Sequence, residues 1–287
     1  MRSRRVRKLF CLTAGLVVLA ASAADAAAQD WRTITQMRQT TGDRNLLQVA
    51  VQYGAGTLDL SAGDPGLLYR ATMRYDAEAF QPEFEYQPGR LRVGLEDVRV
   101  RGRNVRGGEL DIRLGPDVPV DLQLEFGAAR ANLDLTGIPL RAVRLATGAS
   151  ETVVRVSSPN PIVCESIDFD VGAARFQAFG LANLNAQHLR FSGGVGEVTL
   201  DFTGDWTSNM SARLRMGLGS LTLRVPRGLG LQVRKGGLLV GFDSQGLIKR
   251  GDVYETPDWA QAENRLTVDI EAAFGSIRVV WVDPDAN

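Results

Sequence analysis

Two carboxylates one residue apart, Asp168 and Asp170, form the strongest candidate for chemistry in this sequence. They lie in an alternating segment, SIDFDV, and alternate residues of a β-strand point to the same face of a sheet. Two carboxylates on one face could bind calcium or act as a general acid and base. The competing interpretation is an ion-pair ladder, because Arg144 and Arg190 are predicted to flank Asp168 on neighbouring repeats.

Other reactive side chains are few. His188 is the single histidine, which excludes a metal site built on two histidines and a relay between histidines. We expect it to form hydrogen bonds at the surface or between repeats. Cys164 has apolar neighbours in PIVCES and is predicted to be a small buried side chain. We therefore assign no catalytic, cofactor-binding or metal-binding residues, and no cofactor.

A long loop from residue 243 to 264 carries the second set of candidates. Loops on a rigid scaffold often carry function, and aromatic and cationic side chains are common in partner contacts. The candidates in this loop are Lys249, Arg250, Tyr254 and Trp259. A loop that only closes one end of the fold would explain the same residues.

The N-terminus has the composition of an export signal. Five basic residues precede an apolar run over residues 9–21, and a tract of small residues ends at Ala28. The run is too short to cross a bilayer, so we predict a cleaved signal and an exported chain, periplasmic or extracellular, with no transmembrane anchor. Removing residues 1–28 leaves a net charge of −4, which argues against a nucleic-acid partner.

The candidate carboxylates lie within a repeated unit, in which two alternating runs flank a glycine turn. The repeats can be aligned on one glycine each: Gly54, Gly127, Gly148, Gly172, Gly194, Gly217, Gly236 and Gly275. From Gly127 to Gly217 the successive separations are 21, 24, 22 and 23 residues, a period typical of solenoids. The residues three and five positions before each glycine are apolar or small, which predicts two rows facing one interior.

The pattern predicts an all-β fold, a single-stranded parallel β-helix or solenoid with coils of about 22 residues and a less regular N-terminal β segment. In a solenoid each repeat pairs in parallel with the next, whereas stacked hairpins closed by the glycine turns remain an alternative. The nearly constant repeat length favours the solenoid. Stacking would then place opposite charges side by side on the outside, at Arg144 and Asp168, Asp134 and Arg155, and Asp201 and Arg224.

Three stretches of the sequence resemble the bacterial toast-rack domain: PDVPVDLQLEFGAARANLDL, VGAARFQAFGLANLNAQHLRFSGGVGEVTLDF and GLGSLTLRVPRGLGLQVRKG. That domain is related to the C-terminal β domain of cell-wall-active-antibiotic response (LiaF-like) proteins. GAGTLDLSAG and PEFEYQPGRLRV resemble the family's first segment, so the likeness covers essentially the whole mature chain. The resemblance implies a β-solenoid-like fold and, in some members, an accessory role in envelope-stress signalling. It implies no catalytic residues.

We predict a signal peptide over 1–28, an N-terminal β segment over 29–117 continuous with the solenoid, solenoid repeats over 118–283, and a tail over 284–287. The predicted function is a non-catalytic, exported module for binding, adhesion or cell-envelope sensing, with an envelope protein or a polysaccharide as partner. One alternative is a β-helix carbohydrate-active enzyme, of polysaccharide lyase or hydrolase type, that uses Asp168 and Asp170. Another is a structural element that self-associates into a homo-oligomer through the open ends of the solenoid.

Overall fold

The computed structural model describes residues 30–40, 45–97, 107–237 and 239–283. Within these ranges the chain forms sixteen β-strands and a 3-10 turn at Leu181–Leu184, and no helix is long and apolar enough to cross a membrane. The all-β prediction is therefore confirmed. The predicted signal peptide and the predicted tail over 284–287 lie outside the described residues.

The strands differ in length according to whether they contain a glycine turn. Short strands are β1 (Trp31–Gln39), β3 (Leu67–Asp76), β4 (Phe80–Gln87), β5 (Arg90–Asp97), β6 (Gly108–Leu114), β12 (Gly230–Gly236), β13 (Leu239–Asp243), β14 (Ile248–Arg250) and β15 (Val253–Glu255). Long strands are β2 (Leu47–Ala62), β7 (Val120–Asp134), β8 (Leu140–Arg155), β9 (Ser166–Phe179), β10 (His188–Asp201), β11 (Met210–Pro226) and β16 (Arg265–Val282).

The long strands stack in parallel and in register. The order β2, β7, β8, β9, β10, β11 follows the chain, and each strand pairs with the next. The pairing of Thr147 with Val171 and of Ala149 with Ala173 places Gly148 beside Gly172, as the glycine alignment predicts. Parallel pairing between repeats confirms the solenoid and excludes the stacked hairpins.

Each long strand bends at its glycine so that its two halves face each other across the core. In β9, buried residues occupy odd positions before Gly172 and even positions after it. The rings of Phe169 and Phe176, on opposite sides of the bend, are 5.1 Å apart, whereas seven residues of straight strand would span about 23 Å. The interior is therefore a two-layered apolar core, closed along one side by the column of glycine bends.

The order of the last repeats differs from the prediction. Sequential stacking would place β12 beside β11, but β16 pairs with both of them and lies between them. β12 pairs with the first half of β16, β13 with the second half, and the β14–β15 hairpin extends the sheet beyond β12. Gly275 consequently lies opposite Gly219 and not Gly217. This two-residue shift leaves the inward face unchanged, because a strand repeats every two residues.

The irregular N-terminal segment builds a split coil on the other side of β2. The first half of β2 pairs with β5 and its second half with β6, both in parallel. Beyond them the pairing becomes antiparallel, since β4 pairs with β5, β3 with β6, and β1 with β3. The β4–β5 hairpin therefore forms one margin of the first layer.

The connections between coils are held by buried asparagines. The Asn183 amide donates a 2.7 Å hydrogen bond to the carbonyl of Val156, and its oxygen accepts a 2.8 Å bond from the backbone N–H of Asp205. The Asn160 amide donates to the carbonyl of Leu140 at 2.7 Å, and its oxygen accepts from the N–H of the same residue at 3.0 Å. Each side chain therefore pairs backbone groups at the connections between coils.

Candidate ligand-binding cleft

The outer face of the first layer contains a cleft of about 640 Å³. The β4–β5 hairpin contributes Glu85, Gln87, Arg90 and Arg92, and the first halves of β2, β7, β8 and β9 contribute the rest. Those remaining lining residues are Gln48, Val49, Ala50, Asp121, Leu122, Gln123, Ala142, Val143, Arg144, Ser166 and Asp168. Charged and amide groups predominate among the side chains that point outward, so ligand contacts here would be polar.

Several polar groups of the cleft are already paired within the chain. Asp121 accepts hydrogen bonds from the Arg141 guanidinium, one of them 2.8 Å long, and these bonds raise the pKa of Arg141. Arg90 donates to the Gln48 side-chain oxygen at 3.2 Å. These contacts hold the side chains of Asp121, Arg90 and Gln48 in place within the cleft.

Two arginines of the cleft form no ion pair with any residue in the described ranges, although each lies beside a carboxylate in register: Arg92 beside Glu85 and Arg144 beside Asp168. Both arginines lie on exposed outward positions. Register places them three strands apart, because β2 and β7 separate β5 from β8. That separation is about 14 Å at the usual strand spacing. The cleft thus offers two guanidinium groups at a distance that suits an extended anionic ligand.

The two carboxylates of the predicted pair border different depressions. Asp168 lies in the cleft, beside Arg144 in register, and forms an ion pair with Arg190 at 3.6 Å. Asp170 lies outside the cleft and borders two shallow depressions along the glycine bends. The ion pair between Asp168 and Arg190 agrees with the ladder interpretation. Arg144 lies beside Asp168 in register but forms no ion pair with it.

The loop candidates lie at the end of the solenoid, where each contacts another side chain of the last strands. Lys249 lies 5.7 Å from the Tyr254 ring, and Arg250 forms an ion pair with Glu255 at 2.9 Å. Tyr254 also packs edge-on against Phe242, with 4.9 Å between the ring centroids. The guanidinium of Arg265 lies 5.8 Å from the Trp259 ring. These contacts close the last coil, and the role of the loop in binding stays a prediction.

The two remaining reactive side chains, Cys164 and His188, are not among the residues that line the cleft. Cys164 is fully buried, and burial raises the pKa of its thiol to about 12. His188 is exposed and pairs in register with Ser211. Among the described residues, no group of three or more His, Cys, Asp or Glu side chains could hold a metal ion.

Sequence reasoning missed the part of the cleft that the hairpin contributes. Arg90 and Arg92 occur two residues apart in GRLRVG, a signal that both face the same way. Their proximity to Arg144 depends on β5 pairing with β2, a contact across a long stretch of sequence. Nothing in the local pattern of residues 80–97 specifies that pairing.

The sequence matches the N-terminal domain of toast_rack, DUF2154, over residues 28–176 and 160–224. These matches cover most of the chain. The chain belongs to the toast-rack family. The split coil and the first five stacked long strands of this toast-rack protein, with the cleft that they form, all lie within the matched region.

Several solved structures are similar to this toast-rack chain at low identity. A proposed cell adhesion protein from Clostridium sporogenes shares 17% identity over 88% of this chain and 100% of that chain, with a TM-score of 0.43. A proposed adhesin from Bacteroides fragilis shares 12% identity over 87% of this chain and 97% of that chain, with a TM-score of 0.36. Likenesses this weak do not establish a shared function. Among curated proteins, none matches the chain.

Proposed function

We propose that this toast-rack protein is a non-catalytic, exported module that binds an acidic polysaccharide of the cell envelope or its surroundings. The observation that carries the proposal is the pair of arginines without ion pairs to described residues, Arg92 and Arg144, in a cleft whose other charged side chains are Arg90, Glu85, Asp121 and Asp168. Guanidinium groups bind carboxylates through paired hydrogen bonds, and the glutamine side chains can bind hydroxyl groups.

The polar lining of the cleft favours a ligand held by charge and hydrogen bonds over a neutral sugar or a protein. No aromatic side chain is among its lining residues, so stacking on sugar rings does not contribute. Binding would then depend on charge and hydrogen bonds. A protein partner would be expected to use aromatic or exposed apolar anchors; this lining has no aromatic residue, and its large apolar residues, Val49, Leu122 and Val143, are buried in the core.

The export signal and the cell-envelope location of this function remain part of the proposal. A polysaccharide ligand outside the cytoplasm agrees with the predicted signal over residues 1–28. The division into an N-terminal segment up to residue 117 and repeats beyond it also stays a proposal. A binding cleft that uses β5 and β8 would require both parts.

Calorimetric titration with oligogalacturonate, and with dextran as the neutral control, tests the proposal. We expect measurable binding of the acidic oligosaccharide alone, which weakens as salt rises because the arginine contacts are exposed. Arg144→Glu replaces an attraction between the arginine and the acidic sugar with a repulsion between two carboxylates. We expect binding at least about tenfold weaker, which corresponds to about 1.4 kcal/mol of binding free energy. Arg278→Glu, at an exposed position on the second layer, is the matched control.

Two outcomes would overturn the proposal. Equal binding of dextran and oligogalacturonate would show that charge does not determine binding. Equal loss of affinity in the Arg144 and Arg278 variants would show that the cleft is not the binding site. Shortening of the oligosaccharide during the titration, detected by mass spectrometry, would contradict the non-catalytic assignment and favour the enzyme alternative.

A further inference from the structure

An exposed apolar ridge runs along the glycine bends at the C-terminal half of the stack. Val195, Leu218, Phe274 and Leu239 are adjacent in register on β10, β11, β16 and β13. Each is between 49% and 68% exposed, and together they form most of the exposed large apolar residues among those described. On the preceding coils the same position holds alanine, at Ala55, Ala128, Ala149 and Ala173.

A shallow groove runs beside this ridge. Its floor is made of small residues that precede the ridge residues in sequence, and on β10, β11 and β16 these are Gly194, Gly217 and Ala273. The cavity above this floor measures about 560 Å³. A second depression of about 540 Å³ continues the groove past Gly54, Gly127 and Gly148. Ridge and groove therefore share the same strands and the same repeat of about 4.8 Å.

We propose that two copies of this chain form a parallel, two-fold dimer in which the apolar ridge of each copy packs into the glycine groove of the other. A two-fold axis parallel to the stack, between ridge and groove, exchanges the two features and keeps equivalent strands opposite each other. The equal repeat of ridge and groove then brings Val195, Leu218 and Phe274 over Gly194, Gly217 and Ala273 of the second copy.

The charges that border the ridge and groove fit this symmetry. In the dimer, the residue three positions before a ridge position in one copy faces the residue two positions after the equivalent position in the other copy. Glu125 then faces Arg130 of the second copy, and Asp170 faces Arg175. At five further positions at least one residue of the pair is uncharged: Gln52 with Thr57, Ala146 with Glu151, Ser192 with Glu197, Arg215 with Ser220, and Glu271 with Ser276. No like charges meet.

A second copy fits this surface better than a membrane does. Two carboxylates, Glu197 and Glu271, flank the large residues of the ridge, against one arginine, Arg215. An anionic bilayer would repel that border. The ridge and the alanine positions that continue it run over eight strands, about 34 Å, and a strip of that length about 15 Å wide on each copy buries about 1,000 Å² in total. An interface of this size predicts a weak dimer with a micromolar dissociation constant.

Sedimentation equilibrium of the chain from Gln29 onward, which contains every described residue, tests the proposal. We expect a monomer–dimer equilibrium between about 1 and 100 µM. Leu218→Glu and Phe274→Glu should raise the dissociation constant at least tenfold. Met37→Glu and Val163→Glu, at positions 49% and 56% exposed but away from the ridge, should leave it unchanged. Thermal unfolding of each variant checks that it is folded.

A charge exchange gives an independent measurement of the register. Arg175→Asp should weaken the dimer, and the double variant with Asp170→Arg should restore it, because the opposed pair is then rebuilt with reversed signs. A wild-type chain that stays monomeric at about 100 µM overturns the proposal. It is also overturned if the Val163 variant dissociates as readily as the Leu218 variant, or if monomers bind anionic vesicles through the ridge. The dimer does not depend on the proposed polysaccharide function.

Discussion

Arg224 donates a 2.7 Å hydrogen bond from Nε to Asp201 on the preceding coil, and the Asp201 side chain is only 5% exposed. The same carboxylate accepts a 2.8 Å bond from the backbone N–H of Thr203. The sequence predicts that Asp201 and Arg224 pair in register, and likewise Arg144 and Asp168. Because Asp201 is buried, removing its partner would leave a buried charge uncompensated. Loss of Arg224 should therefore reduce stability more than loss of an arginine from an exposed pair.

Removing the arginine of the buried pair should therefore destabilise the fold. We expect Arg224→Met to lower the free energy of unfolding by about 2 kcal/mol or more, since it leaves a buried carboxylate with one fewer donor. Arg190→Met removes the exposed partner of Asp168 and should cost less than about 1 kcal/mol. Urea denaturation of both variants compares them directly. Equal losses would contradict the role assigned to burial.

The glycine column gives a second pair of matched variants. A Cβ added at Gly172 would lie 2.7 Å from the carbonyl oxygen of Gly148, whereas one added at Gly54 would meet nothing within 4 Å. We expect Gly172→Ala to cost about 2 kcal/mol or more through backbone displacement, and Gly54→Ala to be nearly neutral. Melting temperatures of the two purified variants test this. A stable Gly172→Ala protein would contradict the close stacking of the bends.

Asn183 provides a third test, of the connections between coils. Asn183→Ala should destabilise the protein by about 2 kcal/mol, because the backbone groups of Val156 and Asp205 would lose their partner. Asn132 is the control, since its amide donates only an exposed 3.0 Å bond to Asp59. Chemical denaturation should show little change for Asn132→Ala. If the two variants lose similar stability, the asparagine is not essential to the turn.

The Cys164 thiol should be inert in the folded protein. Burial raises its pKa to about 12, so at pH 8 the reactive thiolate is scarce and a reagent cannot reach the sulfur. The raised pKa also means that ionisation of this thiol would oppose folding only as the pH rises past its unfolded pKa. Reaction with a disulfide reagent at pH 8, with and without denaturant, measures this. Rapid labelling of the native chain would contradict the burial.

The sequence predicts those parts of the fold that depend on local alternation. The inward rows, the bends from Gly127 to Gly217 and the register of Asp201 with Arg224 all follow from a period of two and a nearly constant repeat. The position of β16 between β11 and β12 could not be predicted in the same way. Several similar strands can pair with a given edge equally well, and the alternation pattern does not choose among them.

The cleft was only half predictable for the same reason. Asp168 and Arg144 belong to consecutive repeats, so their proximity follows from stacking. The other wall comes from the β4–β5 hairpin, whose position depends on a pairing between β5 and β2. The irregularity of residues 63–116 indicates that this segment is not simple scaffold, but it does not specify which strand the segment joins.

Hydrogen exchange with and without oligogalacturonate tests the central claim most directly. The polysaccharide-binding account predicts ligand-dependent protection in the β4–β5 hairpin and in the first halves of β7 and β8, where Arg92 and Arg144 lie. The region around Lys249 and Tyr254, at the far end of the stack, should exchange equally in both samples. Protection confined to that loop, with none in the hairpin, would contradict the cleft as the binding site.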